Sequence, residues 1–200
     1  MITVQFVTDF ADQAVILPLI TVVTLFLAVI TTPKSAAIWL FCAAATLGLA
    51  AVLKIGFSGC LFPSPIADLR SPSGHTASAV FFVGGLTVLL AERPWRVPLA
   101  PLFAGLAAGT LIAATRVLLG YHTRTEVLAG ALAGLLGLAC LATIWRAGPL
   151  PLKPVLLAVC AVTAIALHGI HLTAETWLRT NGCGTVETIA AMAARFLTGH

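Results

Sequence analysis

The sequence predicts an all-α fold, a polytopic membrane protein built as a bundle of six transmembrane helices. Three observations carry this reading. Hydrophobic residues make up 60% of the 200 and charged residues only 9%, whereas a soluble domain carries about 25% charged residues. Six apolar stretches approach the length of about 20 residues that crosses a bilayer. Clusters of ionisable residues fall in two connections on one side of the bundle. A lipid-exposed backbone must satisfy its own hydrogen bonds, which selects helices. The length suits one compact unit, so residues 1–200 are read as a single integral-membrane domain.

Residues 1–12 contain Asp9 and Asp12 but no Lys or Arg, which does not fit the basic start of a cleaved signal peptide. The first span is placed at 14–32, with Pro18 inside it as a kink site, and the second at 36–53. Residues 54–74 follow as a long loop, and a long loop inside a compact unit is usually functional. The third span, 75–91, begins with the polar residues His75, Thr76 and Ser78 and is the weakest by hydropathy. The fourth and fifth, 97–115 and 127–145, carry Gly105-x-x-x-Gly109 and Gly130-x-x-x-Gly134. Small residues at this spacing let helices approach closely, and a tight contact between these two spans would hold the polar link 116–126 rigidly. The sixth span is 154–173, and residues 174–200 form an interfacial tail in which 185–197 can make a helix too short to cross. Pro33, Pro94 and Pro151 fall in connections, where a missing N–H costs least.

Short connections reverse direction, so 54–74 and 116–126 lie on one side together with both termini. The opposite side holds Lys34, Arg93, Arg96, Arg146 and Lys153. The first side holds Lys54, Arg70, Arg116, Arg124, Arg179 and Arg195. Setting Lys54, Arg70 and Arg116 aside as site residues leaves five against three, which puts the two linkers outside the cytoplasm, at the outer face of a bacterial-type cytoplasmic (inner) membrane. Trp39, Trp95, Trp145 and Trp177 all fall near predicted span ends, as an interfacial belt requires. The net charge of +4 comes without a basic run, which suits anionic headgroups and excludes nucleic acid as the expected partner. Cys42, Cys140 and Cys160 lie in apolar runs and read as small buried hydrophobes. Cys60 and Cys183 share the outer side, where a disulfide between them is permitted.

Ionisable groups near membrane helices are costly, so each is a functional candidate. The first linker holds Lys54, Asp68, Arg70 and the run Ser71-Pro72-Ser73-Gly74-His75; the second holds Arg116, Tyr121, His122, Arg124 and Glu126. Lys54, Arg70 and Arg116 converging at one interface suit a multiply charged anion such as phosphate, with Arg as a bidentate fork and Lys as a point charge. Ser73-Gly74-His75 opens the third span, where a helix start offers free N–H groups to an anion. Gly74 lets backbone come close, and Ser73 can donate its hydroxyl or cap the helix. Of two histidines at one site, one can attack phosphorus and the other can protonate the leaving oxygen. Glu126, four residues after His122, can orient that ring. Thr123-x-x-Glu126 also matches a capping box, so Glu126 can cap, orient or do both.

Taken together, Lys54, Ser71-Pro72-Ser73-Gly74-His75 and Arg116-x5-His122-x3-Glu126 resemble the type 2 phosphatidic acid phosphatase superfamily. Its pattern is a Lys-x6-Arg-Pro segment, then Pro-Ser-Gly-His, then Ser-Arg-x5-His-x3-Asp. The resemblance implies His122 as nucleophile, His75 as general acid and Glu126 in the place of the orienting Asp. It implies Lys54, Ser73, Gly74 and Arg116 as phosphate ligands, and no metal or other cofactor. Leu61 stands where the first motif has Arg, and Arg70 is available to supply that guanidinium. Thr115 replaces Ser before Arg116, and Glu126 is one methylene longer than Asp.

The expected activity is therefore a metal-independent lipid phosphate or diphosphate phosphatase acting through a phosphohistidine. Its expected partners are the lipid substrate and the surrounding membrane lipids. A phosphotransferase using the same site is one alternative, and a non-catalytic anionic-lipid transporter or binder is another. The group His168-x-x-His171-x3-Glu175 at the outer end of the sixth span is read as an interfacial polar patch on one helix face rather than a metal site.

Overall fold

The computed structural model describes residues 2–57, 68–91, 99–146 and 150–172, together with 184 and 188. Among these residues the chain is all-helical, with α1 (Ile2–Asp9), α2 (Gln13–Ile30), α3 (Pro33–Ile55), α4 (Gly74–Leu90), α5 (Leu99–Leu118), α6 (Arg124–Ile144) and α7 (Lys153–Leu167). Local chemistry sets the boundaries. Asp12 caps α2 by accepting the Ala14 N–H at 2.8 Å. Thr32 accepts the Ser35 N–H at 3.1 Å, with Pro33 opening α3. Ser73 caps α4 and Thr123 forms the capping box of α6. α2 runs through Pro18 without interruption.

Helices α2 to α7 fall on the six predicted spans to within a few residues. Helix α1 was not expected, because eight residues are too few to show a span; it packs against α5. Among the described residues, four helical stretches are long and apolar enough to cross a membrane: Thr3–Ile30, which takes α1 together with α2, and Pro33–Ile55, Leu99–Leu118 and Arg124–Ile144. Outward-facing Val29, Phe41, Phe103, Leu132 and Ile165 are exposed, an apolar surface that suits lipid as its solvent. At 17 and 15 residues, α4 and α7 are shorter. α4 is buried on nearly every side among α3, α5 and α6, so few of its faces meet lipid, and the polar start that weakened its hydropathy finds protein partners instead.

The glycine stripes work differently from the expected contact between the fourth and fifth spans. Both face α4. A Cβ on Gly134 would lie 2.6 Å from the Ala77 carbonyl oxygen, and one on Gly105 would lie 2.8 Å from that of Val80. α4 is thus wedged between α5 and α6, and the small residues admit its backbone. Gly134→Ala is expected to lower stability by about 1–3 kcal/mol, because the obstructing atom is backbone and cannot swing aside. Gly48→Ala is the matched control, since nothing lies within 4 Å of its added methyl. Thermal unfolding in detergent should separate the two.

The tryptophan belt is corrected for two of its members. Trp39 and Trp145 are almost wholly enclosed in the core. Trp39 packs against Phe81 and Phe82, and its indole N–H donates to the Ile20 carbonyl at 3.3 Å. A full set of protein contacts outweighs the interface for these rings. Trp95 and Trp177 lie outside the described residues, as do Leu61, the Cys60 and Cys183 pair, and the proposed 185–197 helix apart from residue 188. Cys42, Cys140 and Cys160 are free thiols, with the Cys42 and Cys140 sulfurs 3.7 Å apart between α3 and α6.

Candidate active site

The polar linkers are shorter than the sequence suggests. Lys54 sits in the last turn of α3, Arg116 in the last turn of α5 and Glu126 in the first turn of α6. Apolar neighbours such as Val117 and Leu118 carry the α5 helix past Arg116. Its end is set by Gly120, at φ +70°. The Tyr121 N–H donates to the Arg116 carbonyl and the Gly120 N–H to the Val117 carbonyl, each at 3.0 Å. This is a Schellman turn with glycine in its left-handed position. It delivers Tyr121 and His122 immediately before the capping box of α6.

Glu126 ties this turn to the other linker. One oxygen, Oε2, lies 2.9 Å from His122 Nδ1 and accepts the Thr123 N–H at 3.1 Å. The other, Oε1, accepts the N–H groups of Ser71 at 2.8 Å and Arg70 at 3.2 Å. The Glu126 backbone carbonyl accepts the Ser73 N–H at 3.0 Å. The hydroxyls of Thr123 and Thr125 donate to the Asp68 carbonyl at 2.7 and 2.9 Å. Because an ionised carboxylate only accepts, a His122 proton sits on Nδ1, and in the neutral ring Nε2 then carries the lone pair. Capping and orienting are thus one arrangement.

Beside this clamp lies a cavity of about 680 Å³, lined by Lys54, Gly74, His75 and Arg116 among others. Lys54 and Arg116 are buried, and the Arg116 guanidinium stacks 4.5 Å over the Tyr121 ring. Ser73 and the His122 side chain are fully enclosed, and it is their chain neighbours Pro72, Gly74 and Tyr121 that line the cavity. Ser73 faces the first turn of α4, accepting the Thr76 hydroxyl at 3.0 Å. The structure therefore gathers Lys54, Ser73, Gly74, His75, Arg116, His122 and Glu126 at one end of the bundle. Arg70 differs: it is exposed and contributes its backbone N–H to Glu126.

Sequence reasoning missed the far wall. Asp12 Oδ2 lies 3.6 Å from His75 Nε2 and 3.5 Å from His171 Nδ1. Asp9 is 3.9 Å from the same His171 nitrogen. The available signal was an acidic residue placed directly before an apolar run, at a capping position. The expected helix face through His168 and His171 does not form. α7 stops at Leu167, and Gly169 at φ +82° turns the chain. His168 Nε2 then contacts the Phe6 carbonyl at 2.8 Å, while His171 turns towards the cavity; Glu175 lies outside the described residues.

Residues 56–149 match the model of the PAP2 superfamily. No curated protein and no solved structure matches the chain. The matched stretch contains both linkers from Asp68 to Glu126, that is, both ends of every hydrogen bond in the Glu126 clamp. The Pro-Ser-Gly-His run and the Arg-x5-His run, brought together in this way, both fall inside the matched stretch, and the match supports the type 2 phosphatidic acid phosphatase superfamily assignment.

Proposed function

We propose that the protein is a lipid phosphate or diphosphate phosphatase that works through a covalent phosphohistidine on His122. The observation that carries this is the Glu126 carboxylate held between His122 Nδ1 and the Ser71 N–H, at 2.9 and 2.8 Å. It fixes an imidazole with its nucleophilic nitrogen unprotonated, beside a cavity bearing two buried cations. The superfamily match supports hydrolysis of a phosphate ester at the coarser level.

In this reading Lys54 and Arg116 take the phosphate oxygens, together with N–H groups at the start of α4, and stabilise charge in the transition state. Ser73 adds its hydroxyl, and Gly74 admits the phosphate to the backbone. Arg70 stands at the rim as a further guanidinium for the incoming anion. His122 Nε2 attacks phosphorus in line, His75 protonates the leaving alcohol, and water then hydrolyses the phosphohistidine. The chain's own cations do the neutralising that a metal would do, so turnover should persist in excess chelator. The lipid chain lies along Leu17, Leu47, Ala50 and Ala51, the apolar flank of the cavity between α2 and α3. Helices α2 to α7 all cross the bilayer as one domain, with the site facing outside a bacterial-type inner membrane.

The test is rapid quenching with a lipid substrate labelled on phosphorus. A labelled protein, stable to base and labile to acid, with the label on His122, is expected within the first turnover. Label that never reaches protein would overturn the phosphohistidine, and label that ends on an added lipid alcohol instead of as free phosphate would overturn the hydrolase.

A further inference from the structure

We propose that Asp12 is a positioning residue for His75, holding its imidazole by Nε2 so that Nδ1 is left to protonate the leaving oxygen. The inference rests on His75 being the acid of the proposed reaction. Asp12 lies upstream of the stretch that matches the superfamily, at the junction of α1 and α2.

The carboxylate is divided between two tasks. Its Oδ1 holds the fold, accepting the N–H of Ala14 at 2.8 Å and of Leu172 at 3.3 Å. Its Oδ2 faces imidazoles, His75 Nε2 at 3.6 Å and His171 Nδ1 at 3.5 Å. The His75 and Asp12 side chains are 11% and 10% exposed, whereas that of His171 is 52% exposed. Capping alone needs one oxygen, and any of Asn, Ser or Asp supplies it. The second oxygen adds a negative charge against the ring edge of a histidine that shares its cavity with Lys54 and Arg116. Asp9 and His171 also face that space. The arrangement mirrors the other half of the site, where Glu126 takes Nδ1 of His122 and leaves Nε2 for phosphorus.

The proton balance is closed within the site. As the His122 Nε2–P bond forms, the P–O bond to the alcohol breaks, and the proton on His75 Nδ1 passes to the leaving oxygen. Water then attacks phosphorus, its proton returns to His75, and the N–P bond breaks. His75 keeps its Nε2 proton towards Asp12 throughout.

Asp12→Asn keeps the cap and removes the charge. The full chain in detergent is assayed on hexadecyl phosphate, whose alkoxide needs a proton to leave, and on 4-nitrophenyl phosphate, whose phenolate does not. The kcat on the alkyl ester is expected to fall about 10²-fold with KM little changed, and at least about tenfold further than the kcat on the aryl ester. Asp12→Glu should recover most of the loss. Equal losses on both esters, or none, would show that Asp12 serves the fold alone. If Asp12→Asn does not fold, Asp12→Ser, also a capping residue, carries the same comparison. His122→Ala separates this from the parent reading. Activity surviving in that variant defeats the phosphohistidine itself, whereas its absence, with Asp12→Asn treating the two esters alike, defeats only the role of Asp12.

Discussion

His122→Ala is expected to yield a folded protein that releases no phosphate above background. The lost side chain is fully enclosed and is held by its hydrogen bond to Glu126. Removing it leaves Glu126 with the N–H groups of Thr123, Ser71 and Arg70. The capping box and the bond between Ser73 and the Glu126 carbonyl do not involve the ring. Stability should therefore fall by only about 1–2 kcal/mol, and size-exclusion in detergent should show a normal monodisperse peak. The proposed chemistry has no such reserve, because the nitrogen that would accept the phosphoryl group is gone. Losing a covalent nucleophile in a preorganised site lowers kcat on the order of 10⁶-fold. Phosphate release within about a hundredfold of the parent would remove His122 from the mechanism.

Glu126→Gln is the second large effect, and it tests orientation rather than attack. Gln has one acceptor oxygen where Glu126 uses two, and four donors face that carboxylate. Two outcomes are open to the amide, and both fail. With its oxygen towards His122, its NH₂ points at the N–H groups of Ser71 and Arg70, donor against donor, and pushes that linker away. Turned over, its NH₂ faces His122 Nδ1 and forces the proton onto Nε2, leaving no lone pair for phosphorus. A wrong tautomer in a comparable histidine–carboxylate pair lowers kcat about 10⁴-fold, and the unpaired backbone donors add about 1–3 kcal/mol of instability. Glu126→Asp keeps the charge and should be far milder. Parallel kcat and unfolding measurements on the three proteins check this. If Gln and Asp behave alike in kcat, the carboxylate has no orienting part.

Much of this arrangement is legible in the residue pattern, and the exceptions have physical reasons. The apolar runs locate α2 to α7 because each helix coincides with one long apolar stretch. The clustered Ser, Gly, His and Arg residues mark the site because ionisable groups near lipid are retained only for a use. Spacing within one helix turn places Glu126 against His122. What the pattern hides are relations between elements distant in the chain. Nothing near Gly130 or Gly134 says that they face α4 rather than α5, since the stripe identifies a close contact and not its partner. Trp39 and Trp145 sit near span ends in sequence, yet tertiary packing claims both. Asp12 reads as a helix cap from its neighbours alone; its second oxygen meets His75 only because α2 and α4 start at the same end of the bundle.

The wedging of α4 assigns separate duties to the walls of the cavity. Backbone pressed on backbone leaves the α4 start, with His75 at its first turn, no freedom to retreat from a bulkier ligand. In the proposed reaction it would act as a fixed anvil, presenting every phosphate to His122 in the same place. Accommodation would come from the opposite jaw, where Leu17, Leu47, Ala50 and Ala51 line the cavity. Variants that change lipid preference while sparing the rate of phosphoryl transfer should accordingly be found on that jaw, and random replacement along the inner face of α4 should return inactive protein.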